Sequence, residues 1–143
     1  MYCAMYEQSI NEVIGACDKI EVISDGVVKS FSHADAQAKS ILSAIASMNE
    51  GGWEMPGYGV SIDRLTREEM KKGMWLRLAY DKRQTRNEMP FDSLLIRVKG
   101  EYCGYDLIRE ADGKYQGRVF YFNLKEGRNM QELFSLMQEI MRE

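Results

Sequence analysis

The sequence predicts an α+β domain: a single, mostly antiparallel β-sheet with two long helices packed on one face and a further amino-terminal helix. Three observations carry that expectation. Between Met74 and Leu124 apolar and polar residues alternate in four runs, and because successive strand side chains point to opposite faces, this describes a sheet with one apolar face. Two Asp-Gly pairs, Asp25-Gly26 and Asp112-Gly113, supply residues that tolerate the positive φ of tight hairpin turns. The segments 34–48 and 129–142 instead space their apolar residues by three and four, the signature of helices with one greasy stripe.

Taken in order, residues 4–17 place Tyr6, Ile10, Val13, Ile14 and Cys17 along one helical face. Ile20 to Phe31 reads as a hairpin about Asp25-Gly26, and a two-residue loop sets Ile20 opposite Phe31 and Val22 opposite Lys29. Ser32 with Asp35 is a helix-start arrangement, after which Ala38, Ile41, Leu42, Ile45 and Met48 form a stripe that Asn49 to Gly52 stop. Proline and glycine content makes 52–57 a loop, Tyr58, Val60 and Ile62 alternate as a strand, and Thr66 with Glu69 opens a short helix that Gly73 ends.

Met74 to Asp81 is the next strand. The polar stretch from Lys82 to Ser93 reads as a long loop, and loops of that length are uncommon unless mobile or functional. Strands at 94–98, 105–110 and 115–123 follow; a two-residue turn at Asp112-Gly113 pairs Tyr105 with Phe120 and Leu107 with Arg118, while Gly117 suggests a bulge. Asn129 with Glu132 opens the closing helix, whose apolar face includes Leu133, Met137 and Ile140. No linker or repeat divides the chain, so residues 1–143 read as a single domain.

Bulk properties narrow the function. A chain of 143 residues, 45% hydrophobic and 29% charged, supports one core and opposes long disorder. The net charge of -3 argues against nucleic acid and anionic membrane surfaces as partners. No stretch approaches the roughly 20 apolar residues that span a bilayer. The start lacks a basic and apolar leader, so no secretory signal is expected, and Ile14-Gly15-Ala16-Cys17 matches a lipoprotein cleavage box only as a string. Cys3, Cys17 and Cys103 have no metal-ligand or CxxC spacing and read as reduced thiols of a cytoplasmic protein, with no metal site and no cofactor motif expected.

The chemistry-bearing candidates are few. His33 is the only histidine, and neither it nor any cysteine sits in a pattern that marks an activated nucleophile. Gln116 to Phe122 is loosely similar to the aromatic strand of RNA-recognition modules, but a basic surface is missing and a core strand is expected. Opposite the core, Trp75, Leu95, Ile108, Val119 and Tyr121 point outward among Arg77, Arg97 and Asn123, which is the composition of a protein interface unless the amino-terminal helix covers it. The expected function is therefore a non-enzymatic intracellular protein-binding domain, acting on a partner or by self-association. A small acidic blocker of a basic enzyme, as in bacterial immunity or antitoxin pairs, is its concrete form.

Trp75, Arg77, Arg97 and Tyr121, with Arg83 and Arg86 on the 82–93 loop, are the expected binding residues. One alternative is a small-molecule binding domain with Trp53, Tyr58, Trp75 and the long loop forming an aromatic pocket. The other is an enzyme with Cys103 or His33 in a cleft. Neither the whole chain nor a local motif resembles a known family closely enough to carry functional residues across.

Overall fold

A computed structural model of the chain describes residues 10–55 and 71–143; the expected strand at 58–62 and the helix opened by Thr66 lie outside the described residues. The described elements are α1 (Ile10–Gly15), β1 (Lys19–Ser24), β2 (Val27–Ser32), α2 (Ala36–Asn49), β3 (Trp53–Met55), β4 (Met74–Arg86), β5 (Met89–Val98), β6 (Gly104–Ala111), β7 (Lys114–Asn123) and α3 (Gln131–Arg142). The strands form one sheet in the order β2-β1-β4-β5-β6-β7-β3. Every pair in it is antiparallel.

The expectation of two long helices on the sheet is overturned. α2 has 14 residues and α3 has 12, close to the ordinary helix length of about 11–12 residues, and α1 has six described residues. Sheet dominates instead. Both helices start later than their start signals because those side chains close turns: Asp35 Oδ2 accepts the Ser32 amide at 2.8 Å, and Asn129 Oδ1 accepts the Gln131 amide at 3.0 Å.

The first hairpin has the expected register, with Ile20 opposite Phe31 and Val22 opposite Lys29. Its turn residues, Asp25 and Gly26, have φ of 46° and 86°, and Asp112 and Gly113 repeat this with 55° and 75°. The second hairpin departs from expectation by two residues: Tyr105 lies opposite Phe122 and Leu107 opposite Phe120. An irregularity explains it. Ile108 pairs with Val119 but Glu110 pairs with Tyr115, so β7 carries extra residues around Gly117, and Arg109 Nε donates to the Arg118 carbonyl at 3.1 Å across the bulge.

The long loop expected at 82–93 is not a loop. β4 and β5 run on to a two-residue turn at Asn87 and Glu88, both with positive φ (51° and 64°), and the register breaks between Ala79 and Gln84. Beyond that break the strands have buried work to do, since Arg86 is 8% and Phe91 1% exposed. Phe91 meets Tyr80 and Phe120 edge-on, with ring centroids 5.5 and 6.0 Å apart. Arg86 Nη2 donates to Glu54 Oε1 at 2.5 Å on β3, which was expected to be loop but pairs with β7 at the sheet edge. On a flat sheet β4 and β3 would stand about 19 Å apart, four spacings of about 4.8 Å. The end of the hairpin therefore folds back over the inner face.

The main core unites that face with the helices. Leu76, Leu78, Leu94, Ile96, Leu107 and Phe120 share one buried cluster with Ile41 and Ile45 of α2, Leu133 and Met137 of α3, and Ile10, Val13 and Ile14 of α1. The described part of the amino-terminal helix, α1, thus packs on the inner side. Asn49 ties three elements at this level: its amide donates to Asn11 Oδ1 at 2.7 Å and its Oδ1 accepts the Tyr105 hydroxyl at 2.8 Å. On the reverse of the sheet Ile23, Trp75, Leu95, Ile108 and Val119 form a second buried cluster.

Candidate functional site

A cleft opens on the outer face where the β5–β6 ladder ends. Those strands pair only at Ser93 with Glu110, Leu94 with Arg109 and Leu95 with Ile108. The next outward position on that register would set Arg97 against Asp106. On either flank the ladders continue, with Trp75 opposite Arg97 and Asp106 opposite Tyr121. Here lies a cleft of about 500 Å³, lined among the described residues chiefly by Trp75, Arg97, Tyr102, Cys103, Asp106 and Tyr121. That volume falls in the range of small-molecule sites, roughly 300–1,000 Å³.

Each wall has a local cause. Trp75 is 1% exposed; its Nε1 donates to the Lys72 carbonyl at 2.9 Å, and the Arg97 guanidinium lies 5.4 Å from its ring centroid, a cation–π contact. Arg97 Nε is buried and has no hydrogen-bond partner. Asp106 is half-buried, and desolvation pushes its carboxyl above its ordinary 3.8. Gly104 permits a close crossing: a Cβ there would stand 2.7 Å from the Tyr121 hydroxyl oxygen and 2.9 Å from the Phe122 carbonyl oxygen.

Of the six residues singled out from sequence, the cleft gathers Trp75, Arg97 and Tyr121. Arg77 sits on the same face but is committed to acids: its Nε donates to Glu110 Oε1 and its Nη1 to Glu21 Oε1, both at 2.8 Å, while Ser93 Oγ donates to the same Glu110 oxygen at 2.7 Å. Arg83 is exposed and grips Asp92 with two bonds of 3.0 Å and Asp112 with one of 2.5 Å. Arg86 is buried against Glu54. Of the aromatic residues expected to form a pocket, Trp75 lines the cleft, Trp53 is 55% exposed on edge strand β3 and Tyr58 lies outside the described residues.

Sequence reasoning missed Asp106 and Tyr102. The available signal was the register itself, because once Leu95 is set against Ile108, counting two residues outward on both strands reaches Arg97 and Asp106. Cys103 lines the cleft, whereas His33 follows edge strand β2, with β1, β4 and β5 between that edge and β6. The two do not form a nucleophile and base. Burial pushes the Cys17 thiol up to about 11, the opposite of activation.

Among the described residues no group of three His, Cys, Asp or Glu side chains is placed to hold a metal ion, and no helix is long and apolar enough to cross a membrane. Comparison with protein-family models, curated proteins and solved structures finds no match.

Proposed function

We propose that this chain is a non-catalytic binding domain whose ligand seat is the outer-face cleft between β4 and β7. The observation that carries the reading is the meeting, in one concavity, of aromatic rings with an Arg97 Nε that has no hydrogen-bond partner and a half-buried Asp106 carboxyl. Trp75, Tyr102 and Tyr121 supply the apolar walls that bury a small ligand, and Arg97 and Asp106 supply the few polar groups that orient it. The buried state of the surrounding cluster favours a small molecule over a flat partner surface, because the apolar side chains offered to a partner are already out of water.

A fragment screen by amide chemical shifts on the isotope-labelled chain tests this. Hits should move the amides of Arg97, Gly104, Asp106 and Tyr121 together. Hits that scatter over the surface, or that gather at the opposite face, would sink the reading.

Capture of a protein partner, or self-association, is the second reading, favoured by one observation. Trp53 on edge strand β3 and Val27 and Val28 on edge strand β2 are the large apolar side chains left exposed among the described residues. Edge strands that carry such residues are sites of strand addition. A concentration-dependent mass in light scattering that a Trp53→Ser or Val28→Lys substitution abolishes supports it; a constant monomer mass counts against self-association.

A further inference from the structure

Guanidinium groups drawn out of water on this sheet find acceptors, as buried Arg109 does in the Arg118 and Pro90 carbonyls at 3.1 and 2.7 Å. Arg77 meets Glu21 and Glu110, and Arg86 meets Glu54. Arg97 and Asp106 do not pair in this way, although the register of their strands leads directly from Leu95 and Ile108 to them. Arg97 stacks its guanidinium on Trp75 but keeps a buried Nε without a hydrogen-bond partner, and among the described residues the two side chains share no ion pair. Native structures rarely leave buried polar groups unmet, and each one calls for a cause: stored strain, a catalytic role, or a bound species that completes its hydrogen bonding.

The walls restrict what that ligand can be. A simple anion on Arg97 would stand beside the Asp106 carboxylate, with Glu101 also lining the cleft. A simple cation on Asp106 would face the guanidinium. Either arrangement leaves like charges close in a partly desolvated space. Resting on the cleft as the ligand seat, we propose that the ligand is a small two-ended molecule. Its carboxylate-like end accepts hydrogen bonds from Arg97, its ammonium or amidinium end donates to Asp106, and its ring or apolar body lies against Tyr102 and Tyr121. The guanidinium fork suits a carboxylate in particular, since it offers two parallel donors in one plane.

Three probes of one shape separate the possibilities: para-aminomethylbenzoate, with both ends, and para-methylbenzoate and para-methylbenzylamine, with one each. They are titrated into the isotope-labelled full chain while the amides of Arg97, Gly104, Asp106 and Tyr121 are followed. The two-ended probe should bind with a Kd about tenfold or more below either single-ended one. Arg97→Met should reduce it to the level of the amine, and Asp106→Asn to the level of the benzoate. Equal binding of all three probes at the cleft overturns the two-ended ligand while the cleft survives as the seat; no shift at those amides with any probe overturns both. The probe comparison on the unaltered chain decides the matter even where a variant fails to fold.

Discussion

Arg77→Met removes the cation that joins Glu21 on β1 to Glu110 on β6 across the intervening strands. The arginine side chain is 24% exposed, and the two glutamates are 17% and 15% exposed, so all three are mostly but not fully desolvated. Removing one partner of a fully buried ion pair costs about 3–5 kcal/mol, because the other charge is stranded. Residual solvent screens part of that here, and the expected loss at neutral pH is about 2–3 kcal/mol. Urea unfolding followed by circular dichroism measures it.

The same experiment near pH 4 tests the direction of the pH dependence. Burial pushes the Glu21 carboxyl up, but the hydrogen bond and charge of Arg77, with a smaller contribution from Lys19, outweigh burial and hold it below its ordinary 4.5. A carboxyl lowered in this way contributes stability that is present above its unfolded value and is lost as pH falls through its folded one. The gap between the natural chain and the variant should therefore narrow as the medium is acidified. Replacing all three charges, with Glu21→Gln and Glu110→Gln added, should restore much of the loss at neutral pH. A loss under about 0.5 kcal/mol, the range of an ordinary surface change, or a gap indifferent to pH, would refute the reasoning.

Three further outcomes follow from the fold. Phe91→Ala should cost about 3–5 kcal/mol in urea unfolding, since the ring is locked between Tyr80 and Phe120; a cost near zero would mean that the hairpin end does not fold over the core. Glu88→Gly should raise stability by about 0.5–1 kcal/mol, because Glu88 holds φ 64° at a type I′ position that glycine occupies without steric cost, and an unchanged or lower midpoint contradicts that turn. With iodoacetamide, Cys103, which is exposed, should be alkylated in the folded protein, whereas buried Cys17, its thiol raised to about 11, should react only after denaturation. Peptide mass mapping reads the order, and equal rates would contradict it.

Much of the candidate site was legible at the level of residue types. Trp75, Arg97 and Tyr121 were readable as outward-facing because strand alternation assigns every second residue to the far side of the sheet. Their buried surroundings were not readable, and neither was Asp106 as a partner of the cleft. Alternation says which face a residue takes and nothing about where a ladder stops pairing. Arg83 and Arg86 looked alike as charges on a polar stretch. In the fold one meets acids at the surface and the other meets Glu54 beneath the hairpin.

By itself the chain dictated what depends on near neighbours. The turns at Asp25-Gly26 and Asp112-Gly113, the register of β1 with β2 and the inward set of the central strands all follow from φ preferences and a period of two, which act within a few residues. Tertiary structure alone decided the trimmed helices, the return of the β4–β5 hairpin over the inner face, the two-residue offset at the β7 bulge and the cleft beyond Leu95 and Ile108. Each of those depends on which distant strand becomes a neighbour. The free energy that selects the neighbour comes from burying apolar surface across the whole sheet, a quantity that no local stretch of residues contains.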